Sequence, residues 1–339
     1  MKTRQYQLQR NDDGPATLKQ VEATVRPPGP RDVVVRVRAV SLNRRDVYVR
    51  LGLYPGPKPP TLVPLSDGAG EVVAVGTGVT RVVTGDRVAA NFFQQWLEGR
   101  PRPEYLATAL GGGIDGMLSE HVTLDEDGLV KLPDYLSYEE AATLPCAGVT
   151  AWNALVTRGR TRPGDFVLLQ GTGGVSIMGL QLATALGARP VITSSSDDKL
   201  ARARGLGAAA TVNYRSTPDW DQAVRVATGG IGVQQALEVG GKDTLQKTLA
   251  SLGQGGHVAL IGGLTSFGGE IPSGALMGNN ATASGIYVGS RADFAALTAF
   301  LAEHPVRPVI DRVFEYADAA AAYDHLDSPH LFGKVVIRL

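Results

Sequence analysis

The spacing of apolar and polar positions changes partway along the chain. Up to about residue 125 short apolar runs alternate with polar residues, the period of strands that bury one face. The run 32–40 sets Val33, Val35, Val37 and Ala39 against Arg36 and Arg38, and further strands are predicted at 71–75 and 85–90 beside glycine-rich turns. Dense proline at 55–64 predicts an extended loop, and 94–116, which has no apolar period, a surface loop or lid. A helical stretch at 138–156 follows a Ser137-x-x-Glu140 pattern, in which hydroxyl and carboxylate each satisfy a free backbone N–H. Pro145 is expected to divide it. Strands are then predicted at 166–170, 191–195, 211–214, 236–239, 258–261 and 285–288, with helices between most of them, notably 175–186 and 198–205. Repeated strand–helix–strand units predict a parallel, doubly wound sheet. A helix at 318–326 and a strand at 334–339 are placed to return and complete the first domain.

One junction in this pattern carries chemistry. Val167-Leu-Leu-Gln runs into Gly171-Thr-Gly-Gly-Val-Ser176, which meets G-x-G-x-x-G at five positions, with Ser176 in place of the last glycine. In a chain with 42 glycines such a turn arises easily. Its context, a strand before, a helix after and a further strand at 191, is that of a dinucleotide site. Gly171, Thr172, Gly173, Gly174 and Val175 are the expected phosphate-binding residues, and Ser176 is small enough for close helix–strand packing. An NAD site places an acid at the tip of the second strand to meet the ribose hydroxyls. Here that tip reads Thr193-Ser194-Ser195-Ser196, and Asp197 and Asp198 fall at the start of the next helix, where capping accounts for them. Ser194 and Ser195 with nearby Lys199 suit a 2′-phosphate, so NADP(H) is the expected cofactor.

Bulk properties narrow the class. The 339 residues suggest two domains, and 33 basic against 33 acidic residues argue against nucleic acid or an anionic membrane as partner. A single cysteine, Cys146, forms no internal disulfide and suits a reducing compartment. No apolar run approaches the ~20 residues of a membrane span, and the N-terminal residues lack the apolar core of a signal peptide. A cytoplasmic protein is expected.

Together these features resemble the medium-chain dehydrogenase/reductase superfamily, and most of all its zinc-free quinone oxidoreductase-like branch. The resemblance rests on Ser41-Leu-Asn-Arg-Arg-Asp46, Arg50-Leu-Gly-Leu-Tyr-Pro55, Asp67-Gly-Ala-Gly-Glu-Val-Val73, Gly85-Asp-Arg-Val88, Thr150-Ala-Trp152, the Gly171 loop, Asn213-Tyr214 and Gly333-Lys-Val-Val336. It implies an α/β fold: a GroES-like β-rich catalytic domain from 1–128 and 306–339, and a Rossmann domain over 129–305. It also implies that Lys199 and, 15 residues later, Tyr214 hold the 2′-phosphate. By the same resemblance Thr150, Gly262, Leu264, Ile286 and Val288 line the nicotinamide end, Lys334 joins the cofactor contacts, and a homodimer pairs strands near 284–289.

Zinc-dependent relatives in the superfamily carry a cysteine where this chain has Asn43, and a Gly-His-Glu segment where it has Leu65-Ser66-Asp67. The five histidines, at 121, 257, 304, 325 and 330, show no paired ligand spacing. No metal is therefore expected, and quinones or α,β-unsaturated carbonyls fit better than simple alcohols, whose oxidation benefits from a Lewis acid. By resemblance to zinc-free reductases, Asn43 and Tyr54 are the candidates for polarising the substrate. Asn43 equally suits a capped turn, Tyr54 suits packing within its loop slightly better, and Asp46 is expected to hold the turn and its arginines. Two alternatives stand beside this expectation: an alcohol dehydrogenase with oxygen ligands such as Asp67 and Glu71, and a non-catalytic NADPH-binding protein.

Overall fold

The computed structural model of the chain describes residues 1–11, 14–266 and 268–339. They form two compact units, 1–149 with 289–339, and 150–288. The sequence places the divisions at 128 and 305, and the compact units divide at 149 and 288. Packing accounts for this: Tyr138–Ala141 lies against Asp32–Leu42 and Asp67–Val75, and the helix Arg291–Glu303 lies against Leu129–Lys131.

The first unit is the β-rich, GroES-like one. Its main sheet runs Ile310–Glu315, Lys334–Arg338, Asp32–Leu42, Asp67–Val75, Arg87–Ala90, Leu129–Lys131, with His121–Asp125 also paired to Asp32–Leu42. Val33, Val35, Val37, Val40 and Leu42 enter one core with Leu65, Leu110 and Met117. The predicted one-sided alternation holds at Arg36 and Arg38, which donate to Glu71 at 3.0 and 3.2 Å. Val34 and Val40 are buried as well. Register shifts at Val34/Val35 and Val37/Ala39 change which face follows each irregularity. In the same sheet Asp67 lies opposite Ser41, and Val335 opposite Leu42. Lys334 is thereby carried beside Asn43, 291 positions away in sequence.

Segment 94–116 is not the surface loop its composition predicts. Trp96, Ala109 and Leu110 are buried, and the longest exposed run is 98–104. Gly111 and Gly116 press on Leu65, where a Cβ would approach its backbone to 2.6 and 2.1 Å. The apolar residues here are too widely spaced to show a period, yet they are buried.

The second unit is a Rossmann-type sheet of six strands, all parallel: Ala210–Asn213, Arg189–Ser194, Phe166–Gln170, Val233–Glu238, Leu252–Leu260, Thr282–Gly285. Numbered from Phe166–Gln170 the order is 3-2-1-4-5-6, wound first to one side and then the other. The helices Gly174–Ala185 and Asp197–Gly205 begin one residue before their predicted starts. The strand predicted at 285–288 is Thr282–Gly285 instead. Val288 takes a φ of 56°, which strand geometry excludes, while burial of Ile286 and Val288 gives the segment its strand-like pattern. No helix among the described residues is long and apolar enough to cross a membrane.

In the first unit the capping box at Ser137 forms as predicted. Its hydroxyl accepts from Glu140 N at 3.1 Å, and Ser137 N donates to Glu140 Oε2 at 2.8 Å. The α-helix stops at Ala141, and Pro145 falls in the wider turn Leu144–Gly148.

Candidate functional site

In the second unit, Gly171 turns the chain out of its strand with a φ of 68°. Gly173, the cap of the helix Gly174–Ala185, has an extended backbone with φ −78° and ψ −178°, open to any residue. A Cβ built on either glycine would meet no atom within 4 Å. Open space over the unpaired N–H groups of a helix start fits a phosphate of a dinucleotide. Ser176 is 2% exposed, and its hydroxyl donates to Gln170 O at 2.6 Å, which ties the helix start to the strand. Helix and strand also approach closely at Gly179, where a Cβ would lie 3.0 Å from Leu169 and 3.1 Å from Leu237.

The other candidates follow the carboxyl ends of the strands, where open α/β sheets bind ligands. Tyr214 N donates to Ser194 O at 3.1 Å, and Ser196 caps the next helix through Lys199 N. Ser194, Ser195, Lys199 and Tyr214 therefore share one corner of the sheet, with Tyr214 43% exposed. Asp197 is engaged by Asn213 Nδ2 at 2.9 Å, and the capping side chain is Ser196 rather than either aspartate. Gly262 N and Leu264 N donate to Glu238 O and Val239 O, both at 3.2 Å, so these two donors are occupied within the unit. Asn153 Nδ2 donates to Val288 O at 2.7 Å, which draws the segment carrying buried Thr150 to the same edge.

Glu238 and Gln170 escape sequence reasoning. Glu238 is 1% exposed. Its Oε1 accepts from Gly240 N at 2.8 Å, Gly241 N at 2.9 Å and Thr244 Oγ1 at 2.6 Å. Its Oε2 accepts from Gln170 Nε2 at 2.8 Å and from Thr248 Oγ1. The carboxylate fixes the turn 238–241 from below, and an acid followed closely by Gly240-Gly241 at a strand end was the available signal.

In the first unit, Asn43 links Asp32–Leu42 to the helix Arg44–Arg50. Asn43 N donates to Asp46 Oδ2 at 2.7 Å, so Asp46 holds the turn. The Asn43 side-chain oxygen accepts from Lys334 Nζ at 2.5 Å, and the same ammonium donates to Leu42 O at 2.6 Å. It stands 3.6 Å from Asp67 Oδ2. Asp67 accepts in turn from Ser41 at 3.2 Å and Ser66 at 2.7 Å. Leu65, fully buried with a φ of 70°, makes the strained turn that leads into this pair. The resemblance places Lys334 among the cofactor contacts; the structure holds its ammonium in this buried polar cluster. Asn43 Nδ2 is buried, and no described residue accepts from it.

Tyr54 reaches the same region through Arg45. The Arg45 guanidinium lies over the Tyr54 ring at 5.0 Å and the Phe92 ring at 4.7 Å. It donates to Leu110 O at 2.9 Å and stands 3.4 Å from Asp46 Oδ1. Burial pushes the Asp46 carboxyl up to about 6, against the opposing pull of Arg45 and the Asn43 N–H. Cys146 feels the charges of Asp67 and Lys334, and burial holds its thiol far above the usual range. Its membership of this neighbourhood is not visible from its place in the sequence.

A structural test of zinc follows from these bonds. The family's ligand positions hold an amide, a hydroxyl and one carboxylate, against the three or four N, S or O ligands of a zinc centre. The Asn43 and Asp67 oxygens already face the Lys334 ammonium, whose charge opposes a second cation. Among the described residues no three His, Cys, Asp or Glu are grouped to hold a metal. Glu71 is turned to Arg36 and Arg38 rather than toward Asp67.

Comparison with known proteins finds two family domains along the chain. Residues 29–134 match the alcohol dehydrogenase GroES-like domain, and 174–303 match the family described as zinc-binding dehydrogenase. A zinc-type alcohol dehydrogenase-like protein of Schizosaccharomyces pombe is 41% identical over 317 residues, covering 91% of each chain. A quinone oxidoreductase of Pseudomonas aeruginosa is 34% identical over 342 residues, covering 96% of each. A crystal structure of an NAD-dependent alcohol dehydrogenase superposes with a TM-score of 0.88 at 34% identity, covering 99% of each chain. These relatives are alcohol dehydrogenases and quinone oxidoreductases, and the chain is an oxidoreductase of a family that binds nicotinamide cofactors. The chain belongs to the medium-chain dehydrogenase/reductase superfamily.

Proposed function

We propose that this oxidoreductase is a zinc-independent, NADPH-dependent reductase of quinones or α,β-unsaturated carbonyls. The buried Asn43 Nδ2, a donor with no acceptor among the described residues, carries the proposal. Leaving such a group unpaired costs about 1–3 kcal/mol, which a substrate oxygen would recover once its binding displaces the side chains that now cover the nitrogen. Bound NADPH supplies the hydride. As that oxygen gains negative charge, the bond from Asn43 strengthens, so it favours the transition state over the ground state. A conjugated acceptor spreads the charge over an enolate or hydroquinone anion, which one or two such bonds can stabilise. An isolated alkoxide calls for a Lewis acid, and the donor set around Asn43 is poor in zinc ligands. Tyr54, beside Arg45, is the second polar group we assign to the acceptor.

For the cofactor, Gly171–Val175 would cradle the pyrophosphate, and Lys199, Ser194, Ser195 and Tyr214 the 2′-phosphate. The strand tip itself, Thr193-Ser194-Ser195-Ser196, carries no acid, and Asn213 already donates to Asp197 Oδ1, which supports this choice.

The test is anaerobic NADPH oxidation with quinones and enones, and with simple aldehydes as controls, before and after EDTA. Turnover of conjugated acceptors unaffected by EDTA is expected, and Asn43→Ala should lower kcat about 100-fold. Preference for simple aldehydes and alcohols, lost with EDTA and restored by Zn²⁺, would overturn the proposal.

A further inference from the structure

We infer that Lys334 is a positioning residue: its buried ammonium fixes the Asn43 amide with the oxygen inward and the nitrogen free to donate. This rests on the role proposed above for Asn43. An ammonium carries three donors and no acceptor. It therefore selects the amide oxygen, at 2.5 Å, and a flipped amide would set two donors against each other at that distance. The remaining hydrogens are directed to Leu42 O at 2.6 Å and toward Asp67 Oδ2 at 3.6 Å. With Lys334 4% and Asp67 0% exposed, neither charge has water as an alternative partner. Such a pair is a poor source of stability and a good source of fixed orientation.

The arrangement follows from the sheet. Val335 opposite Leu42 carries Lys334 to residue 43, and Asp67 opposite Ser41 puts the counter-charge beside it. A cation on the amide oxygen also polarises the amide and strengthens its N–H as a donor. The ammonium is thus a resident cation among oxygens at positions where zinc-dependent relatives carry ligands. It acts through Asn43 and does not touch the acceptor.

The experiment uses Lys334→Gln and Lys334→Arg in the full-length protein. Gln is close in length and neutral, and its amide can pair with either face of Asn43, so it removes the selection. Arg retains a charge made only of donors. The first readout needs no turnover: the ¹⁵N–¹H resonances of the Asn43 side-chain amide, identified by their loss in Asn43→Asp. They should be sharp and single in wild type and in Lys334→Arg, and shifted and exchange-broadened in Lys334→Gln. The second readout is kinetic. Lys334→Gln should lower kcat about tenfold with KM for NADPH unchanged, Arg should recover most of it, and adding Lys334→Gln to Asn43→Ala should cost nothing more. Unchanged Asn43 resonances in Lys334→Gln, or a raised KM for NADPH at constant kcat, would overturn the inference. If wild type turns over no conjugated acceptor, the functional proposal fails while the amide resonances still decide the role of Lys334.

Discussion

The glycine-rich edge of the second unit and the polar cluster of the first are built by opposite means. The edge is local: strand, turn and helix start occupy consecutive residues from Phe166 to Ala185. The cluster is assembled by register, from Ser41–Asp46, Ser66, Asp67 and Lys334, on strands that meet only in the folded sheet. A site of the first kind has fixed local geometry, so its glycines can be tested one at a time. In a site of the second kind each side chain holds another, and a change at one position is felt through its partners.

The sharpest test of that contrast, with the largest expected effect, is Gly173→Ala. Its backbone conformation suits alanine and no neighbour opposes a Cβ. The variant should fold normally and gain about 0.5 kcal/mol through the stiffer unfolded chain. The added methyl would stand where a phosphate meets the helix start, and NADPH affinity, read by fluorescence titration, should fall about 100-fold. Retained affinity would mean that the open space over Gly173 is not the phosphate site. Gly179→Ala is the internal control: it crowds Leu169 and Leu237, and should lower stability by about 1 kcal/mol without a specific effect on the cofactor.

The same contrast explains what the sequence reveals. Strand Phe166–Gln170, its helix and the parallel, doubly wound sheet are legible because period, turn and cap occupy adjacent residues. Asn43 was legible as a candidate only through resemblance, and its partner Lys334 could not be paired with it across 291 positions without the register. The segment 285–288 misled because burial of Ile286 and Val288 mimics a strand, while the φ of Val288 that breaks the strand leaves no mark on hydropathy. Glu238 is hard to single out because one acid at the end of an apolar run looks like an ordinary strand end, although four of its five donors lie within ten residues and only Gln170 comes from a distant strand.

A second test addresses the cluster through pH. The Asp46 carboxyl is raised from 3.8 to about 6 by burial. Between those values the folded protein holds a proton that the unfolded chain has released, so stability from this group falls as pH rises through the window. Urea unfolding of wild type and Asp46→Asn should therefore converge or cross between pH 4 and 6, their difference changing against wild type by up to about 3 kcal/mol. NADPH affinity should be the same in both proteins. A constant stability difference across that range would show that Asp46 titrates as an ordinary surface acid, and a shifted NADPH affinity would show that the two edges are not energetically separate.

The smallest expected effect separates the cofactors. Lys199 stands in the first turn of Asp197–Gly205, beside Ser194 and Tyr214 at the corner of the sheet, and is half-buried. If its ammonium meets the 2′-phosphate, Lys199→Ala removes one charge-assisted hydrogen bond, worth about 1.5–3 kcal/mol when well shielded and nearer the lower figure here. The dissociation constant of NADPH should rise about tenfold, that of NADH should not move, and the difference should shrink with added salt. Equal weakening of both cofactors would point to the backbone instead. Lys199 N donates to the capping Ser196 hydroxyl at 3.4 Å, and a loosened helix start would disturb the whole corner rather than one phosphate.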